Sequence, residues 1–301
     1  MKVLFFGLGS IGSRHARLLK EMKGCDLYAF RSGRNEKGNS LGIAEVTNWR
    51  EVDLLKPEVA FITNPTHLHL ETALLCAERG MALFLEKPVD ASTRNLNFLL
   101  SLVESKKIPT YVAYVLRFHP AVKTFRETLV GKKIRRAHFV CRSYFPNWRP
   151  GQNYLDSYSA SHKTGGGALL ELSHEFDLAS YLLGPIRKIS GRLEKRGNVT
   201  RDAEDYVEAV VQTKSCEAQI TIDIASEKSE RKITVETDSG ELLTDIMPTT
   251  DRDLPYREQL KYFMIHHRNP KMMNNLFEAA PLFEKLIHFR EATYFPGGVT
   301  Q

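Results

Sequence analysis

Short unbroken apolar runs alternate with segments of helical periodicity over the first third of the chain. Residues 2–6 (Lys-Val-Leu-Phe-Phe) stop at Gly7, the pattern of a strand buried on both faces of a parallel sheet. Ile11, Ala16, Leu18, Leu19 and Met22 then recur at helical spacing, and Gly24 ends the segment. Strands are expected over 26–30, 59–63 and 82–85, with a helix over 70–79 closed by Gly80. This alternation runs to about Tyr114 and predicts an α/β, doubly wound parallel sheet, whose ligands sit outside the carboxyl ends of its strands.

Beyond Arg117-Phe118-His119-Pro120 the texture changes. A helix through Val130 is followed by a polar and aromatic loop over 144–164, then a helix over 167–183. From 186 to 244 apolar and polar residues alternate, as in Tyr206-Val207-Glu208-Ala209-Val210-Val211, which predicts antiparallel strands with one covered face. Two helices, 256–267 and 276–292, close the chain. The expected division is a doubly wound domain over 1–117 and an α+β domain over 118–301, with an open, mainly antiparallel sheet. Such a sheet face suits a homo-oligomer, dimer or tetramer.

Composition narrows this little. The 301 residues are 42% hydrophobic and 26% charged, with no apolar run long enough to span a bilayer. The opening apolar run is too short for a signal peptide and leads straight into the glycines, so a cytoplasmic protein without a membrane segment is expected. Cys25, Cys76, Cys141 and Cys216 are scattered without a CxxC pair, which suggests reduced thiols and no metal site. The net charge of +6 is spread out, Lys132-Lys133-Ile134-Arg135-Arg136 being the one dense run. That favours an anionic cofactor or substrate over nucleic acid as partner.

The candidate chemistry begins at Gly7-Leu8-Gly9-Ser10-Ile11-Gly12, a GxGxxG run between a strand and a helix. Gly7 permits the tight turn, Gly9 lets backbone approach a pyrophosphate, and Gly12 lets helix and strand pack closely. Ser10 and Ile11 open the helix whose N-terminus would face the phosphates. Where an NAD-selecting chain carries an acid, this one reads Arg31-Ser32-Gly33-Arg34. Arg31, Ser32 and Arg34 can bind a 2′-phosphate, so NADP is favoured over NAD. Asn64-Pro65-Thr66-His67-Leu68-His69 follows the strand at 59–63, with Asn64, Pro65 and His69 placed to line the cofactor. For His67 and His69 a capping or packing role in the next helix is the simpler reading. Glu86-Lys87-Pro88 ends a later strand, where a lysine beside a nicotinamide can carry a proton, its charge disfavoured by burial and a cationic ring.

In this order the glycine run, Asn64-Pro65 and His69, Glu86-Lys87-Pro88, Arg117-Phe118-His119-Pro120 and Gly165-Gly166-Gly167 with Glu171 resemble the Gfo/Idh/MocA oxidoreductases. The resemblance implies a Rossmann domain, a C-terminal domain with an open sheet, NAD(P)-dependent chemistry on sugars or inositols, and a catalytic role for Lys87. Spacings of three and four residues put Glu171, His174 and Glu175 on one face of the helix that follows Gly167, whereas many members of the family carry Asp and, four residues on, His. His174 is then the simplest proton partner of Lys87 and Glu171 an orienter of hydroxyls, while Glu175 can exchange roles with either.

The loop from Tyr144 to Ser159 mixes aromatics with hydrogen-bonding side chains and suits a sugar. Arg149, Tyr154 and Tyr158 of this loop, together with Arg117, are the substrate-contact candidates, and an Ω-loop packed on its own Trp148 and Tyr154 is the competing reading. The expected activity is an NADP(H)-dependent dehydrogenase or reductase for a sugar or sugar derivative, including phosphorylated or nucleotide-linked ones. The alternatives are a glycosidase using cofactor transiently, and a non-catalytic NAD(P)-sensing regulator.

Overall fold

The structure, a computed structural model, describes residues 1–31 and 38–294. The described residues form two compact units, one of Met1–Ala113 with Tyr256–Ala280, the other of Tyr114–Pro255 with residues 281–294.

In the first unit, β1 (Lys2–Phe6) leads into α1 (Ser10–Met22), β2 (Asp26–Phe30), β3 (Ala44–Val46), α2 (Trp49–Leu55), β4 (Val59–Ile62), α3 (His69–Glu78), β5 (Ala82–Leu85), α4 (Leu96–Ser105) and β6 (Thr110–Val112). The strands pair in parallel in the order β3-β2-β1-β4-β5-β6. The order reverses direction between β1 and β4, where a doubly wound sheet opens its ligand crevice. Continuous apolar runs form these strands because both faces are covered, and Val3, Leu4, Phe5 and Val59 to Ile62 are fully buried. Phe5, Phe61 and Phe84 stack in a row, at 4.8 and 4.3 Å between successive centroids. Full burial stabilises each such ring by about 1.5–3 kcal/mol.

In the second unit, α5 (Pro120–Thr128) precedes β7 (Ile134–Tyr144), α6 (Ala168–Glu171), α7 (His174–Leu183), β8 (Lys188–Glu194), β9 (Tyr206–Gln212), β10 (Glu217–Asp223), β11 (Ala225–Thr237) and β12 (Gly240–Asp245). The sheet order is β12-β11-β7-β10-β9-β8, antiparallel throughout except for β7 with β10. Alternation sends Val207, Ala209, Val211, Ala218, Ile220 and Ile222 to the covered face, where α6 and α7 pack. Glu208, Val210, Gln219 and Thr221 occupy the other face.

The helix expected over 167–183 is instead two. Leu172 leaves helical geometry at φ −112°, ψ 33°, so α6 ends at Glu171 and α7 starts at His174. Tertiary anchors override helical continuity here: Glu204 holds the start of α6, while ion pairs at Glu175 and Asp177 fix α7.

The last elements are α8 (Leu254–His266) and α9 (Leu276–Thr293). Phe263 of α8 sets its ring edge against Phe61 and Phe84, at 5.7 and 5.1 Å, and so returns to the first unit's core. The segment before α9 covers the edge strand β6: Val112 N–H donates to Asn274 O at 2.9 Å, the Asn274 amide to Val112 O, and Leu276 N–H to Thr110 Oγ1.

Candidate functional site

The first group of candidate residues lies at the carboxyl ends of β1, β4 and β5. Gly7 has φ +98°, and a Cβ there would stand 2.7 Å from Thr63 O and 2.8 Å from Asn64 N, so the turn requires glycine twice over. A Cβ on Gly12 would meet Gly7 O at 2.1 Å and Thr63 Oγ1 at 2.6 Å, which is the close helix-to-strand approach expected. Gly9 differs, for nothing among the described residues lies within 4 Å of its Cβ position. Ser10 is exposed and Ile11 half-buried at the start of α1, which has no side-chain cap and no acid in its first turn. An open backbone cradle at an uncapped, exposed helix start fits a dinucleotide pyrophosphate.

Arg31 follows β2, its N–H on Val46 O at 2.9 Å and its Nε 3.9 Å from Glu45 Oε1. Ser32 and Arg34 lie outside the described residues. Asn64 donates to Thr72 Oγ1 at 2.9 Å, while its buried Oδ1 has no partner among the described residues. Pro65 opens a single 3-10 turn ahead of α3. His69 is 2% exposed, with Nδ1 3.0 Å from Pro88 O and Nε2 2.9 Å from Asn64 O, so it ties the two loops together. Burial pushes its pKa down and raises that of neighbouring Asp90, whose carboxylate accepts from Leu70, Ala91 and Ser92 N–H.

Lys87 is half-buried just past β5, and its peptide bond to Pro88 is cis. Its backbone is held on both sides. Glu86 Oε2 accepts the Lys87 N–H at 3.2 Å, and His69 engages the Pro88 carbonyl. The other Glu86 oxygen lies 2.8 Å from His15 Nε2, on a histidine of α1 with no exposed surface. His15 is absent from the sequence expectations. Its signal was a histidine three residues past Gly12 on the face that carries Ala16, Leu18 and Leu19.

A second group lies in the other unit. Glu171, His174 and Glu175 are all buried, yet the break after Glu171 removes the shared helical face. The Glu171 charge, followed by burial, pushes the Tyr158 hydroxyl up to about 12. The Arg149 guanidinium stands 5.3 Å from the Tyr158 ring centroid and also bonds Ser157 Oγ. Glu171, Tyr158 and Arg149 are thus one constellation. The Tyr114 ring meets His174 edge-on at 5.6 Å.

Arg117 and Glu175 have other engagements. Arg117 grips Asp177 with two nitrogens, at 2.6 and 2.9 Å, and Glu175 Oε1 accepts from Arg231 Nε at 2.7 Å. Tyr154 and Trp148 both set their rings edge-on to Phe145, at 5.8 and 5.0 Å, so this part of the loop packs on itself. It leaves a cavity of about 360 Å³ lined by Arg149, Gln152, Asn153, Tyr154, Asp156 and Ser157. Around Gly165-Gly166-Gly167, Glu204 accepts from Leu169 N–H at 3.1 Å and Arg290 donates to Gly166 O at 2.5 Å.

Comparison with known proteins agrees with this fold. Residues 1–114 match the profile of the oxidoreductase family with an NAD-binding Rossmann fold, GFO_IDH_MocA, and residues 129–243 that of the GFO/IDH/MocA C-terminal domain. Among characterised sequences, the myo-inositol 2-dehydrogenase of Thermotoga maritima is 23% identical over 61% of this chain and 55% of its own length. The inositol 2-dehydrogenase of Rhizobium meliloti is 25% identical over 69% of this chain and 64% of its own. The chain therefore spans somewhat more than half the length of these relatives. In fold it resembles GenD2 from gentamicin A biosynthesis, solved in complex with NAD, with a TM-score of 0.82 at 18% identity over 98% of this chain and 93% of that one. Levoglucosan dehydrogenase in complex with NADH and levoglucosan gives a TM-score of 0.80 at 16% identity, over 97% and 96%.

Proposed function

Because this chain belongs to the Gfo/Idh/MocA oxidoreductase family, we propose that it transfers a hydride between a nicotinamide dinucleotide and a hydroxyl-bearing carbon of a sugar or sugar derivative. The observation that carries this reading is a half-buried Lys87, its backbone held from both sides, in the same parallel sheet as the open glycine turn at Gly9. The bound nicotinamide supplies the hydride acceptor or donor.

The protein's own residues do the rest. Gly7, Gly9, Ser10, Ile11 and Gly12 hold the pyrophosphate on backbone N–H groups, and Asn64, Pro65, His69 and Glu86 form the wall along which the cofactor runs. The Lys87 amine takes the hydroxyl proton in oxidation and returns it to the oxygen in reduction. Glu171 and Tyr158 orient substrate hydroxyls, His174 serves as proton donor or acceptor, and Arg149 and Tyr154 contact the sugar. Arg117 and Glu175 act through their ion pairs, keeping α7 in place.

Arg31 supports NADP as the preferred cofactor, and Arg149 together with the net charge of +6 supports a substrate with an anionic group, such as a phosphorylated or nucleotide-linked sugar. The freer face of the second sheet serves self-association into a homo-oligomer.

The test is a panel of inositols, free sugars, sugar phosphates and nucleotide sugars with NADP and NAD, followed by absorbance of the reduced nicotinamide. Turnover is expected with NADP preferred, and Lys87→Met should lower kcat by about 10²–10⁴-fold while NADPH still binds. A charge-assisted hydrogen bond to phosphate is worth about 1.5–3 kcal/mol, so Arg31→Ala should reduce the NADPH preference by about tenfold or more. Net hydrolysis without cofactor turnover, or binding of NADPH with no turnover across the panel, would overturn the dehydrogenase reading.

A further inference from the structure

We propose that His15 is a positioning residue for Lys87, acting through the Glu86 carboxylate, an inference that rests on the oxidoreductase reading above. The geometry is a relay of two contacts from one helix to one loop. His15 Nε2 lies 2.8 Å from Glu86 Oε1, and Glu86 Oε2 accepts the Lys87 N–H at 3.2 Å. The Glu86 N–H is itself fixed on Ile62 O at 3.0 Å, so the residue ahead of Lys87 is held by backbone and by both carboxylate oxygens. A side chain that starts from a fixed backbone has fewer places to put its amine, and a misplacement of about 1 Å can cost about 10²-fold in rate.

Stability does not explain the pair. His15 has no exposed surface, Glu86 is 8% exposed, and the imidazole is boxed by Phe61, Phe84 and Tyr256 at 5.0 to 5.9 Å between centroids. Its Nδ1 is buried with no partner among the described residues. Placing these two groups in an aromatic box carries a desolvation cost, and apolar residues of similar volume in such sites are often as stable or more so. What an apolar pair would lose is the carboxylate that bridges α1 to the Lys87 backbone. His15 also lies one turn past Gly12, so the helix that opens at the glycine turn and the loop that carries the lysine are joined by a single contact.

Two readouts separate positioning from mere structure. Competitive acetylation of the whole chain with acetic anhydride, read by peptide mass spectrometry against exposed Lys188, reports how Lys87 is presented without any substrate. In folded His15→Phe the Lys87-to-Lys188 labelling ratio should change by about tenfold or more, and kcat should fall by about 10²-fold with KM near wild type. His15→Gln, which keeps a donor for Glu86, should restore most of both.

A folded His15→Phe with wild-type labelling ratio and kcat, altered only in unfolding temperature, would overturn the proposal. Should that variant fail to fold, Glu86→Gln must shift the labelling ratio in its place, and wild-type labelling there would overturn it equally. If the wild-type protein turns over nothing in the panel, the oxidoreductase reading fails by itself, while the labelling ratio still decides whether His15 positions Lys87.

Discussion

At the scale of single residues, the three glycines of the β1–α1 turn differ in what an added Cβ would meet. The backbone oxygen 2.1 Å from a Cβ on Gly12 cannot swing aside as a side chain would, so Gly12→Ala should destabilise the protein by about 1–3 kcal/mol in urea unfolding. Gly9→Ala meets none of the described residues and should unfold like wild type while weakening NADPH binding, as fluorescence titration would show. The pair thus tests the cradle separately from the fold. Glu175 offers a second residue-scale test. It is 2% exposed and paired with Arg231, whose loss strands a buried carboxylate. Arg231→Met should therefore cost about 3–5 kcal/mol, whereas the double variant Arg231→Met with Glu175→Leu should recover much of it.

At the scale of elements, the short helix α6 depends on what surrounds its first turn. Gly167 has φ +100°, and a Cβ there would stand 2.5 Å from the Glu204 carboxylate that caps Leu169. Just before it, the 3-10 turn at His162–Thr164 carries an imidazole whose pKa is pushed down to about 4, first by burial and then by the Arg290 charge. The sign follows from linkage. Between about pH 6.5 and 4 the unfolded chain binds a proton at His162 that the folded chain refuses, so stability falls as pH drops through that window and levels off below it. The side chain is half-exposed to solvent, which discounts the effect to about 1 kcal/mol. His162→Gln should accordingly show a shallower loss of thermal stability from pH 7 to 4 than wild type. Equal slopes for the two proteins would contradict this assignment.

At the scale of the whole molecule, the first unit is completed by sequence from far along the chain. Phe263 is fully buried against Phe61, Phe84 and Tyr111, so Phe263→Ala should cost about 3–5 kcal/mol in a unit whose last strand ends at Val112. Light scattering of the purified chain tests the proposed oligomer, and a monomer at micromolar concentration would reject it. The sequence by itself determined the doubly wound sheet, because strands buried on both faces must be unbroken apolar runs and the glycine turn must follow the first of them. It likewise determined that Lys87 stands at the end of a strand and that the second sheet has period-two strands, all of them local patterns. Only the tertiary structure decided that 167–183 is two helices, since distant Glu204, Arg231 and Arg117 anchor its parts. It also decided that Arg117 and Glu175 spend their charge on ion pairs, and that His15 and Glu86 meet across 71 residues. A pattern along the chain records which face is buried, whereas the partner of a buried charge is fixed only when distant segments pack together.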